Sequence, residues 1–115
     1  MVLNKGKREN ITENGVEGGV GELFLGKLTD CRVSPANVVL YAHAKLEPGA
    51  SLGYHIHRGE SEIYYILSGK GLYSDNGAER QVEPGDVTYT PDGEGHGLEN
   101  TGNEVLEFMA LIVKD

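Results

Sequence analysis

From Gly21 onward, turn-forming residues interrupt the chain about every ten residues, at Ser34-Pro35, Pro48-Gly49, Arg58-Gly59, Ser68-Gly69, Asp75-Asn76-Gly77, Pro84-Gly85 and Pro91-Asp92-Gly93. The segments between them are short and rich in Val, Ile, Leu and Tyr. This punctuation restricts the chain to an all-β sandwich or barrel. It predicts strands over 22–28, 37–46, 52–57, 62–67, 70–74, 79–82, 86–90, 97–100 and 104–114, and no stretch shows convincing helical periodicity. The 17 glycines in 115 residues, about double ordinary usage, suit a fold of many turns and short strands.

Two strands indicate which way the sheet faces. Along 37–46, Val38, Leu40, Ala42, Ala44 and Leu46 share one side, and Val39, Tyr41, His43 and Lys45 the other. Only the first side is uniformly apolar. In the last strand Leu106, Phe108, Ala110 and Ile112 form one apolar side, while Met109, Leu111 and Val113 make the opposite side apolar too. A strand apolar on both faces is expected to be covered twice, here by its own core and by a second subunit.

A length of 115 residues predicts one domain, residues 1–115, with 1–21 as an N-terminal arm and 22–115 as the barrel. Residues 4–21 are polar and glycine-rich, with turn signals at Asn14-Gly15 and Gly18-Gly19, and read as a partly disordered loop. Their glycine spacing matches neither the Walker loop nor the dinucleotide fingerprint. A net charge of -8, with the cations scattered apart from Lys5, Lys7 and Arg8, argues against a nucleic-acid partner. No run approaches the roughly 18 apolar residues of a membrane helix. The start of the chain lacks a secretory pattern and the lone Cys31 has no internal disulfide partner, so a cytoplasmic location is expected. The Asn10-Ile11-Thr12 sequon is then a chance match.

The chemistry gathers around four residues. His55 and His57 lie two apart in a predicted strand, so both imidazoles project to one face. Glu62 opens the next strand, where an antiparallel return brings its carboxylate beside them. His96 follows Pro91-Asp92-Gly93 and must approach from another strand. Three imidazoles and one carboxylate suit Mn, Fe, Co, Ni, Cu or Zn, and suit Ca or Mg poorly. Four protein ligands leave positions open on an octahedral ion for water or substrate.

The spacing around these residues is specific. Gly49, five residues, His55-x-His57, four residues, Glu62, six residues, Gly69 is followed after a 15-residue linker by Gly85, five residues, Pro91-x-Gly93, two residues, His96, three residues, Asn100. With these two motifs the chain resembles a small single-domain member of the cupin superfamily. The resemblance implies a double-stranded β-helix, or jelly roll, and metal ligation by His55, His57, Glu62 and His96. Gly49, Gly69 and Gly85 are expected at turns of positive φ. His43 matches no ligand position and is expected outside the barrel, at a subunit contact.

With His55 and His57 inward, strand parity places Ser51 and Gly53 on the same face, and Tyr64 and Ile66 with Glu62. Tyr64 is the candidate catalytic residue, as a hydrogen-bond donor or proton relay. Val87, Tyr89, Leu98, Phe108 and Ala110 are expected to form apolar walls. The resemblance implies either a small metalloenzyme, of dioxygenase or decarboxylase type acting on a small organic acid or diketone, or a non-catalytic cupin that binds a sugar or carboxylate. A third reading is a metal that mainly stabilises the barrel. Oxalate decarboxylases carry an arginine three residues before the first histidine; here that residue is Leu52, which weakens an oxalate reading. Arg58, in the following turn, is expected to face solvent. The family's habit of packing barrels back to back adds to the expectation of a homodimer.

Overall fold

The computed structural model describes residues 1–30 and 32–115; Cys31 lies outside them. Among the described residues ten strands run β1 (Asn10–Asn14), β2 (Glu22–Lys27), β3 (Val38–Leu46), β4 (Ser51–Ile56), β5 (Glu60–Ser68), β6 (Gly71–Asp75), β7 (Ala78–Val82), β8 (Val87–Thr90), β9 (Gly95–Asn100) and β10 (Leu106–Lys114). All pairings are antiparallel, in a six-stranded sheet ordered β1-β2-β3-β10-β5-β8 and a four-stranded sheet ordered β4-β9-β6-β7. The two sheets face each other as a double-stranded β-helix, and their inner side chains make the core. No helix among the described residues is long and apolar enough to cross a membrane.

The alternations read from β3 and β10 hold. Ala42, Ala44 and Leu46 are buried with Leu106, Phe108 and Ala110, and Phe108 stands directly opposite Ala44 in the ladder. Small residues on β3 make room for the large ring on β10, as close packing requires. Gly49, Gly69 and Gly85 adopt φ of 84°, 86° and 96°, as the turns demand. At Gly69 space is a second constraint, because a Cβ there would lie 2.5 Å from the Val105 carbonyl oxygen. Motif residue Asn100 is fully buried and ties turns together: its amide nitrogen donates to the carbonyls of Leu46 and Glu104, each at 2.8 Å, and its amide oxygen accepts from the Gly102 N–H at 3.0 Å.

The amino-terminal residues differ from the expected loop. Asn10–Asn14 pair with β2 from Asn10 opposite Gly26 to Asn14 opposite Glu22, forming an edge strand of the larger sheet. Only Ile11 offers an apolar side chain to the core, so backbone pairing rather than side-chain pattern holds the strand, and alternation could not reveal it. A single 3-10 turn, Val16–Gly18, follows and packs on β4.

A second difference lies in β4. Leu52 pairs with Leu98 and His55 with His96, so two residues on β4, Gly53 and Tyr54, face the single Gly97 on β9. This β-bulge reverses the parity, and Leu52, not Ser51 or Gly53, shares the inner face with His55. A third concerns β8, which pairs with β5 through Glu62–Thr90 and Tyr64–Thr88. Thr88 and Thr90 therefore face inward, and Val87 and Tyr89, expected as cavity walls, are exposed on the outside at 64% and 58%.

Candidate metal centre

The four candidate residues come from three strands and both sheets. His55 lies in β4 opposite His96 of β9, His57 sits just past the end of β4, and Glu62 enters from β5 in the facing sheet. Their ligand-capable atoms all lie within 4.8 Å of one another. Nε2 of His57 and Nε2 of His96 are 3.0 Å apart, and one Glu62 oxygen lies 3.0 Å from the first and 2.9 Å from the second.

The other nitrogen of each ring is engaged. His55 Nδ1 donates to the Gly53 carbonyl at 2.8 Å, and His57 Nδ1 donates to the Glu60 carboxylate at 3.2 Å. Both partners accept only, so Nδ1 carries the hydrogen and Nε2 presents its lone pair to the centre. His96 Nδ1 meets the Tyr73 hydroxyl at 2.9 Å, and that hydroxyl also contacts Thr90 Oγ1 at 2.8 Å. Each ring is thus oriented from behind, as histidines presented to a metal are.

Burial sets the charge state. It raises the Glu62 carboxyl to about 7, against the opposing pull of His57 and His55. Burial, with His57 adding, lowers His96 to about 4. Without a cation burial therefore favours a protonated Glu62 beside a neutral His96. Ring nitrogens converging on one point, beside a carboxyl that would ionise against a cation, fit a divalent transition metal.

The centre closes one end of a cavity of about 300 Å³. His55, His57, Glu62 and Tyr64 line it, with His96 buried behind them. Its walls are Leu23, Leu25, Leu40, Ala44, Leu52, Phe108, Ala110 and Ile112, and its acidic members are Glu13, Glu17 and Glu60. Phe108 and Ala110 stand where expected, whereas Leu98 is buried in the core without lining the cavity. Among the described residues no lysine or arginine contributes; Arg58 faces solvent. Tyr64 is 3% exposed and its ring stacks on His96 with centroids 5.0 Å apart. Burial first, then the Glu62 carboxylate, push its phenol well above the ordinary value, so it stays protonated and available as a donor. His43 points outside the barrel, 3.0 Å from Glu107.

Sequence reasoning did not find Glu60 or Tyr73. An acid three residues beyond His57 was a usable signal for Glu60. Tyr73 offered none, because its contact with His96 exists only through the pairing of β6 with β9.

The family model for the cupin domain matches residues 42–113. The chain belongs to the cupin family. The oxalate-binding protein of Thermotoga maritima is 45% identical over 100 residues, covering 87% of this chain and 83% of that relative. The oxalate decarboxylase of Bacillus subtilis is 30% identical over 110 residues, which span 91% of this cupin but only 28% of the enzyme. A solved Thermotoga maritima structure described as a predicted oxalate decarboxylase superimposes with a TM-score of 0.92 at 41% identity, covering 100% of both chains. The polyketide cyclase of Streptomyces resistomycificus, at 22% identity and a TM-score of 0.75 over 99% of this cupin and 78% of that chain, shares the fold alone.

Proposed function

We propose that this cupin binds a small chelating carboxylate, with oxalate the simplest candidate, at one divalent transition metal held by His55, His57, Glu62 and His96. The observation that carries the reading is the convergence of three ring nitrogens and one carboxylate at the end of a cavity that contains no lysine or arginine. A bound metal supplies positive charge and open coordination positions, and it is then the one cation able to hold an anion there. The names of the Thermotoga maritima and Bacillus subtilis relatives support oxalate. Leu52 limits it: a dication offset by the Glu62 carboxylate balances one further negative charge, and nothing else on the walls balances a second. Availability and the mixed donor set leave Mn, Fe, Co, Ni, Cu and Zn as candidate ions.

Turnover of the bound acid, as a decarboxylase or dioxygenase, is a second reading favoured by Tyr64, the only lining residue with a hydroxyl among the described residues. Held protonated beside the centre, Tyr64 would donate to a bound ligand oxygen. One experiment addresses both readings. Calorimetric titration of metal-loaded protein with oxalate should show binding that disappears on metal removal and in His55→Ala, while circular dichroism shows the variant folded. Carbon dioxide release or oxygen uptake during the titration would select turnover over binding, and loaded protein indifferent to oxalate and other small acids would sink the proposal.

A cytoplasmic homodimer belongs to the same reading. The outer face of the larger sheet exposes Tyr41, Ile63, Tyr65, Val87 and Tyr89 at 39% to 64%, with Leu111 paired between Tyr41 and Ile63. Sedimentation at twice the 12.4 kDa chain mass is the expected result.

A further inference from the structure

The cavity has two kinds of lining. One is the donor cluster. The other is an aliphatic wall of Leu25, Leu40, Leu52 and Ile112 that starts directly beside the cluster, since Ile112 stands opposite Glu62 and Leu40 opposite Ile112 in the ladder, and Glu13 and Glu17 line the cavity while remaining exposed to solvent. Oxalate is two carboxylates joined by one bond, and a cavity of about 300 Å³ is more than it fills. Bound at the centre, it would leave the aliphatic wall facing water. A ligand that keeps the same pair of adjacent oxygen donors but replaces the distal charge with an aliphatic tail would cover that wall.

We infer that the preferred ligand class is 2-oxo acids with a short aliphatic tail, which chelate through the carboxylate and the neighbouring carbonyl and lay the tail on Leu25, Leu40, Leu52 and Ile112. This rests on the metal-dependent carboxylate binding proposed above. Such acids carry one negative charge, which matches the charge left by a dication and Glu62, whereas oxalate carries two. The mouth adds a selection against distal charge. A tail ending in a carboxylate would meet Glu13 and Glu17 without a compensating cation, so like charges oppose it. The bulge in β4 makes this specificity possible, because without the extra residue Leu52 would turn away from the cavity.

The test is a ligand series on the wild-type, Co(II)-loaded protein, with Kd read by calorimetry for oxalate, glyoxylate, pyruvate, 2-oxobutyrate, 3-methyl-2-oxobutanoate, 4-methyl-2-oxopentanoate and 2-oxoglutarate. Affinity is expected to rise by about four-fold for each methylene or methyl added along the monoanionic series. The branched acids are expected to bind more tightly than oxalate, and 2-oxoglutarate at least about ten-fold more weakly than 4-methyl-2-oxopentanoate. Glu13→Gln together with Glu17→Gln should narrow that last gap; both side chains are exposed, and circular dichroism verifies that the pair of changes leaves the fold intact. A flat series with oxalate tightest would overturn the inference while leaving metal-dependent carboxylate binding standing. Failure of every acid to bind the loaded protein would overturn both.

Discussion

β10 and β4 both border the cavity, yet they obey different rules. Along β10 burial alternates without a break from Leu106 to Ala110, and every residue read as inward is inward. Along β4 the alternation breaks at the bulge, and Leu52 and His55, three apart, share the inner face. Both ladders of β10 contain a register shift, but there the additional residue, Leu67 or Val39, belongs to the partner strand; in β4 it is the strand's own, and one additional residue within a strand inverts its parity. The strand that supplies only apolar wall keeps the simple pattern. The strand that carries His55 and leads into His57 gives it up, and Leu52, turned inward by the break, joins the cavity wall.

The largest effect should come from the regular strand. Phe108 is 1% exposed against Ala44, and Phe108→Ala should cost about 3 to 5 kcal/mol in urea unfolding. A cost under about 1 kcal/mol would show that β10 is not the packed wall described. The bulged strand should respond to an addition instead. A Cβ on Gly53 would overlap the Glu17 carbonyl, so Gly53→Ala should cost about 1 to 3 kcal/mol and loosen the segment before β2. Hydrogen exchange at the Ser51 amide, which donates to the Val20 carbonyl at 2.7 Å, should accelerate while β10 amides do not.

Tyr73→Phe removes only the hydroxyl behind His96 and should weaken metal affinity by about ten- to a hundred-fold. Because it also leaves the buried Thr90 hydroxyl and His96 Nδ1 without that partner, unfolding of the metal-free protein should cost about 1 to 3 kcal/mol less. Equal affinity in the variant would mean that packing alone orients the ring. The smallest effect, taken per pH unit, is set by acidity. The Glu62 carboxyl, raised to about 7, holds a proton in the metal-free fold below that pH, and a metal must displace it. His96, lowered to about 4, is already neutral above that pH and contributes none. Metal affinity should therefore gain about ten-fold per pH unit from Glu62 between pH 5 and 7, then level off. The sign reverses for the metal-free protein. A folded value above the ordinary 4.5 means that Glu62's contribution to stability declines as pH rises from 4.5 to about 7.

Most of the sheet was legible because strands between strong turns announce themselves; β2 to β10 all appear within two residues of their expected limits. β1 was not, since Asn10-Ile11-Thr12-Glu13-Asn14 carries one apolar side chain and is held by main-chain bonds to β2. Its position matters, because it brings Glu13 and the following turn to the cavity mouth. At the centre, the spacing of two motifs identified the four residues now found together. Glu60 and Tyr73, which orient two of the rings, belong to no such pattern.

By itself the amino-acid sequence determined the fold class, the family and the residues that meet at the centre. These depend on local features: turn chemistry, alternation and fixed spacing along one chain. Which face Leu52 takes, what stands behind His96 and what narrows the mouth were decided only by the tertiary structure. The physical reason is that register between strands remote in sequence is set by pairing across the ladder, and a single bulge there redirects side chains that no local pattern marks.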